Sequence, residues 1–237
     1  MVRLDIEDLT ADFPHYRVAL VVAVELEIAG VRPQALEREV AEAEARVAAT
    51  IAERPPAEVP ELKAWREAYK GFGVKKTSYR SSVERLIRSI QQGRGLPRVN
   101  ALVDAYNAVS ALSLMPVGAD DLDRVTGPLA FRRSRPGDSF IRLGEESGAE
   151  DPPKDREVVY ADAEKVLCRR WNWAQDARSA ISPATRGAVL TVQSLAPGPA
   201  LESAAADLCR RLARHCAARS AWAVADSERP WAEVALD

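Results

Sequence analysis

With 237 residues, 47% of them hydrophobic and 29% charged, the chain is long enough to bury a full core without metals or disulfides. The formal charge of −2 is spread unevenly. Lys70, Lys75, Lys76, Arg80, Arg85, Arg88, Arg94 and Arg98 crowd one stretch opposed by Glu84 alone, while Glu37, Glu39, Glu42, Glu44, Glu58 and Glu61 make the N-terminal third acidic. The longest apolar run, Val18 to Val24, is too short to span a bilayer, and the start MVRLDIEDLT lacks the apolar segment of a signal peptide. Cys168, Cys209 and Cys216 have no metal-ligand spacing and read as small buried residues in a reducing compartment, so the expected location is cytoplasmic, with no membrane contact.

In chain order, the valine-rich stretch Val18 to Leu26 reads as a buried strand. From Gln34 to about Ala52, apolar residues recur at helical spacing (Leu36, Val40, Ala43, Val47, Ile51), and Arg54-Pro55-Pro56 ends the pattern. A second helix covers Pro60 to Lys70, with Gly71 and Gly73 behind it. Ser81-Ser82-Val83-Glu84 is a capping-box signature opening a helix that stops near Gly93. Val99 to Leu114 gives the next helix, closed before Pro116. Short β-prone runs follow at Leu129 to Arg132, Phe140 to Leu143, Val158 to Tyr160, Val166 to Cys168 and Ala188 to Val192. Pro199 to about Val224 reads as a closing helix with Leu201, Leu208, Leu212 and Ala221 inward. The expected class is α+β, a mainly antiparallel sheet packed with helices. Residues 1–59 form an N-terminal strand and helix of the same globule, 60–195 the core, and 196–237 a C-terminal helix on that core.

Several chemistries fall away. His15 and His215 are the two histidines, and neither accompanies a G-x-S-x-G elbow; His215, beside Arg211 and Arg214, reads as part of a solvated face. There is no H-x-x-x-H, no C-x-x-C, no glycine-rich phosphate loop and no dinucleotide fingerprint, so no metal or cofactor is expected. What remains is a site of Asn, Ser, Thr, Arg, Asp and backbone groups, able to orient a water and stabilise an oxyanion.

Gly73 to Glu84, then Leu96 to Ser110, Pro116 to Asp123 and Val166 to Trp173 together resemble the stand-alone B3/4 proteins, which are similar to the editing domain of the phenylalanyl-tRNA synthetase β subunit. The resemblance runs over about residues 60 to 195. Asn100, Val103, Asp104 and Asn107 match the synthetase's N-x-x-V-D-x-x-N segment; Pro116 to Asp123 match P-L-H-A-F-D-L-D; Arg133 to Asp138 and Tyr160-Ala161-Asp162 match two later ones. Ala108 replaces an aromatic residue, Gly118 stands where the synthetase domain has a histidine, and Thr191 falls near the place of its tyrosine-recognising glutamate. The resemblance implies trans-acting hydrolysis of a mischarged aminoacyl-tRNA, with the tRNA 3′ end as partner and not DNA. The departures point the pocket to an amino acid other than tyrosine.

For that activity the candidate catalytic residues are Asn107, Asn172, Gly118 (through a backbone N–H) and Asp120, with Asp121 as the other aspartate able to hold a water. Arg80, Ser82, Asn100, Asp104, Arg169, Trp171 and Thr191 are candidates for substrate binding, and Lys75, Lys76 and Arg80 for tRNA. For Asn100, Asp104 and Asn107, which share a helix face, capping and bracing are equally good readings. If Arg169 to Trp173 is extended, Trp171 and Trp173 share a face and Arg170 and Asn172 the opposite one. Two other readings stay open: a module that binds tRNA or an amino acid without cleavage, and a hydrolase of a non-tRNA aminoacyl derivative.

Overall fold

The computed structural model describes residues 1–51, 54–74, 79–145 and 148–236. In chain order they form β1 (Val2–Asp5), α1 (Glu7–Thr10), β2 (Arg17–Val24), α2 (Gln34–Ile51), α3 (Pro60–Gly71), α4 (Ser82–Gln91), α5 (Ala101–Ser113), β3 (Val117–Asp121), β4 (Leu129–Arg133), β5 (Val158–Ala161), β6 (Val166–Arg169), β7 (Ala174–Gln175), β8 (Ala188–Ser194), α6 (Ala200–Cys216), β9 (Arg219–Ala225) and β10 (Trp231–Val234). The class is α+β, as the apolar periodicities lead one to expect. One sheet has the order β10-β1-β4-β5-β6-β7 and the other β3-β8-β2-β9. Every pairing is antiparallel except β1 with β4.

Strand β2 carries an almost unbroken apolar run because it lies between β8 and β9, with both neighbours supplying hydrogen bonds along its length. Helix α2 buries Leu36, Val40, Ala43, Val47 and Ile51, one stripe at helical spacing. Pro60 stands in the first turn of α3, where its missing N–H costs nothing. Asn100 caps α5 by accepting the Val103 N–H at 3.0 Å. Ser81 caps α4 through the Glu84 N–H at 3.4 Å, but the reciprocal arm of the expected capping box is absent. The Glu84 carboxylate turns instead to Arg66 and Arg88, two charge-assisted partners that outcompete one backbone N–H.

Three expectations change. The closing helix ends at Cys216, where Ala217 takes a left-handed conformation (φ 53°), and residues 219–225 are strand rather than helix. Phe140 to Leu143 contributes isolated bridges at Ile141 and Arg142 rather than a strand. His215 is not on a solvated face: its side chain is 3% exposed and 3.2 Å from Glu39, because α6 and α2 converge there. The sheets draw strands from all three expected segments, since β2 and β9 flank one another and β1 pairs with β10. No helix among the described residues is long and apolar enough to cross a membrane.

Candidate active site

Between α5, the pleat of β3 and β8, and the segment from β6 to β7 lies a cavity of about 280 Å³. Its lining is mostly apolar, with Val103, Leu167, Val117 and Ala119 among the contributors, and its polar groups gather on one side. A buried hydrogen-bond chain forms that side. The Tyr69 hydroxyl donates to Asn172 Oδ1 (2.9 Å), Asn172 Nδ2 donates to Gln193 Oε1 (3.2 Å), and Gln193 Nε2 donates to Thr191 Oγ1 (3.3 Å). Period-two alternation explains the grouping: Gly118 and Asp120 share a face of β3, and Gly118 lies opposite Thr191, which shares its face of β8 with Gln193. A Cβ at Gly118 would meet nothing within 4 Å, so this residue leaves open space in the cavity wall.

Asp120 is the ionisable group with the most distinctive surroundings. It is 4% exposed, and Ser179 Oγ (2.6 Å) and Gln175 Nε2 (3.2 Å) both donate to Oδ1. Oδ2 has no hydrogen-bond partner among the described residues. Burial pushes the carboxyl up to about 7, against the smaller opposing effect of the two donors. Three other cavity groups lack partners among the described residues. The Tyr160 hydroxyl is buried and unbonded, Ser82 Oγ likewise, and the Asn107 amide makes no hydrogen bond among the described residues although the residue is 8% exposed. Burial raises the Tyr160 hydroxyl well above its ordinary value, with Asp120 adding to the effect, so it is a neutral donor. The Cys168 thiol also lines the cavity, and burial raises it far enough to keep it protonated. Arg85 stands at the rim, bonded to the Trp173 carbonyl at 3.1 Å.

Of the expected site residues, the structure brings Ser82, Asn107, Gly118, Asp120, Trp171, Asn172 and Thr191 to this cavity. Others lie elsewhere. Asn100 is spent as a cap. Asp104 accepts the Val99 N–H (2.9 Å) and Arg32 Nε (2.8 Å), a brace between the α5 start and the preceding loop. Arg80 sits 3.0 Å from Glu84, outside the cavity. Arg169 turns from the cavity to a bidentate pairing with Glu157 (2.9 and 3.0 Å). Lys75 and Lys76 lie outside the described residues. Asp121 holds Thr185 Oγ1 (2.6 Å) and the Asp123 N–H (3.1 Å), which makes it structural.

Two details of role also shift. Pro116 opposes Gln193 and accepts its N–H at 3.0 Å; two residues on, Gly118 opposes Thr191 in the same kind of pair, so the Gly118 N–H is spent on the ladder. And the tryptophans do not share a face. Arg170 and Trp171 are both left-handed (φ 46° and 67°), making a turn rather than a strand. Trp171 is fully buried against Phe13, Tyr16 and Trp65, with ring centroids 4.7, 4.8 and 5.2 Å away, while Trp173 packs against Tyr79 at 4.9 Å. Tyr160, Gln193, Gln175 and Ser179 were missed as site residues. Gln193 was findable, since it follows Thr191 at strand spacing; Ser179 lies in a loop with no motif.

A family model described as the B3/4 domain matches residues 64–219. No curated protein matches the chain. Among solved structures, an N-terminal fragment of the phenylalanyl-tRNA synthetase β-subunit from Pyrococcus horikoshii matches with a TM-score of 0.48 and 11% identity, over 92% of this chain and 49% of that one. The chain therefore spans about half the length of that fragment.

Proposed function

The chain belongs to the B3/4 domain family, and from that premise we propose that its cavity hydrolyses an aminoacyl ester at the 3′ end of a tRNA. The observation that carries this reading is a buried carboxyl poised near neutrality with one oxygen unengaged, in a cavity whose Asn107 amide, Tyr160 hydroxyl and Ser82 hydroxyl are neutral donors unbonded among the described residues. Oδ2 of Asp120 takes a proton from a water as that water's oxygen bonds to the ester carbonyl carbon. The carbonyl oxygen gains the negative charge and is met by the Asn107 amide and the Tyr160 hydroxyl. The C–O bond to the ribose then breaks, and the proton on Asp120 passes to the departing ribose oxygen. A base near the operating pH with preorganised donors suffices, because aminoacyl esters are labile. Asn172, bonded on both sides, positions the wall rather than touching the reacting atoms. The volume of the cavity is close to the roughly 300 Å³ lower end of small-molecule sites, which fits a single aminoacyl group.

The test is incubation with a panel of charged tRNAs. Wild type is expected to release the amino acid from at least one, with a rate that rises with pH through about 7 and then levels, as Asp120 ionises. Asn107→Ala is expected to lower the rate by about 10²–10³ as a lost oxyanion donor. Deacylation of none above the spontaneous rate removes the hydrolytic reading.

The open wall at Gly118 favours a second reading, a module that binds the acylated end without cleaving it. Retained binding in a gel shift with no turnover would select it.

A further inference from the structure

Arg170 stands out among the buried cations. It is 5% exposed, yet its guanidinium donates no hydrogen bond to any described residue, and Nη1 is buried without a partner. Its neighbour Arg169 shows what a satisfied buried arginine looks like here, with two bonds to Glu157 and one to the Asp151 carbonyl. Glu157 is the acid nearest Arg170, but it lies 3.8 Å away and its oxygens already serve Arg169 and the Arg170 backbone N–H. What holds the guanidinium is a pair of rings, the Tyr79 centroid at 3.9 Å and the Trp173 centroid at 4.4 Å. The two rings stand at 81° to one another with centroids 4.9 Å apart, so the guanidinium rests against the corner they form, and neither ring offers its N–H donors an acceptor oxygen. A buried charged donor without an acceptor is costly, and among the described residues Arg170 has none.

Arg170 lines a recess of about 400 Å³, together with Arg142, Lys154 and Trp173. Of the acids there, Asp151 pairs with Arg169 at 2.5 Å, Glu145 lies 4.0 Å from Arg142, and Glu150 is exposed. Trp173 belongs to both the recess and the main cavity, and the left-handed turn at Arg170 and Trp171 sends Arg170 into one and Asn172 into the other. We propose that this recess binds an oxyanion on Arg170, and that the oxyanion is a phosphodiester of the strand whose acylated 3′ end enters the main cavity. A planar guanidinium whose N–H donors are unengaged among the described residues matches phosphate oxygens. The identity of the strand rests on the hydrolytic reading above; the anion site itself does not.

The test uses the full chain with ¹⁵N-labelled arginine, following the Arg170 Nε resonance, assigned by its loss in Arg170→Lys. The cytidylyl-adenosine dinucleotide is titrated against adenosine and against inorganic phosphate. The expected result is a shift with the dinucleotide at a concentration about tenfold or more below that needed for inorganic phosphate, and none with adenosine. No shift with the dinucleotide overturns the proposal, as does an equal shift with adenosine. A shift with inorganic phosphate alone overturns the strand assignment in favour of a small phosphate ligand. In kinetics, Arg170→Lys should raise KM for an acylated RNA minihelix with kcat unchanged, and leave phosphate-free aminoacyl adenosine unaffected. Equal losses on both substrates would mark Arg170 as merely structural. If wild type cleaves no ester at all, the hydrolytic reading fails while the titration still decides the anion site.

Discussion

At the scale of single residues, Asp120 couples stability to pH. Its carboxyl titrates at about 7 in the folded chain and near 3.8 in the unfolded one, so between these values the folded state holds a proton that the unfolded state has lost. Stability contributed at this site therefore falls as pH rises from about 4 to about 7, and is level above. Asn at this position still accepts from Ser179 and Gln175 through its carbonyl oxygen, but carries no charge to desolvate. Asp120→Asn is expected to match wild type in urea unfolding near pH 4 and to exceed it at pH 8 by an amount on the order of 4 kcal/mol, while losing hydrolysis. A stability gap independent of pH would show that the carboxyl is not titrating in this window. Gly118 separates stability from ligand binding. Its Cβ position is open and it lies inside a strand, so Gly118→Val should stabilise by roughly 0.5–1 kcal/mol while filling the cavity wall and weakening ligand binding. Unchanged affinity would mean that the occupant does not approach β3.

At the scale of elements, the turn joining β6 to β7 does the sorting. Two successive non-glycine residues in the left-handed region are unfavourable, by about 1–2 kcal/mol each. They are held by the Trp171 N–H to Val158 O (2.7 Å), by the Trp173 N–H to Arg169 O (3.1 Å), and by the indole of Trp171 locked among Phe13, Tyr16 and Trp65. Trp171→Ala should cost about 3–5 kcal/mol and release the turn, seen as a lowered urea midpoint with reduced substrate affinity. A stable variant with normal kinetics would show that the ring does not set the turn. Such a turn has no signature in the chain, because left-handed arginine and tryptophan are outcomes of tertiary packing; the sequence therefore does not show that Arg169 turns to Glu157 while Arg170 faces the recess. The long helices were legible, since Leu36 to Ile51 and Leu102 to Val109 repeat at the helical period. Strand β9 was not: Ala217 stops α6 where a glycine would have announced the end, and the alanine-rich stretch Arg219–Ala225 has helical propensity that pairing with β2 overrides. Strands β1 and β10, four residues each, are too short to show a period. At the candidate cavity, the segments that carry the resemblance supply Asn107, Gly118 and Asp120 to the lining, whereas Ser179 and Gln175 reach Asp120 only because parts of the chain far along from it return to it.

At the scale of the whole molecule, a net charge of −2 conceals a local excess of positive charge beside the cavity. Glu84 is fully buried, and Arg66, Arg80 and Arg88 all reach its Oε1, at 2.7, 3.0 and 3.0 Å. Burial raises the Glu84 carboxyl, but the bonds from Arg66 and Arg88 outweigh that and hold it below the ordinary carboxylate value, so it stays ionised at neutral pH. Three guanidinium charges against one carboxylate (3 − 1) leave a surplus of two, on partly exposed side chains at the start of the helix that also brings Ser82 and Arg85 to the cavity. An RNA strand whose end enters the cavity would pass within reach of this surplus. Binding of a charged tRNA should then weaken linearly on a logarithmic salt scale, and Arg80→Gln should flatten the slope by about 0.7 for one lost single-strand phosphate contact. Arg80 is the right choice because Arg66 supplies two hydrogen bonds to Glu84, and removing it would also unbalance a buried carboxylate. An unchanged slope in Arg80→Gln, with binding otherwise intact, would show that the RNA does not contact the cluster around Glu84.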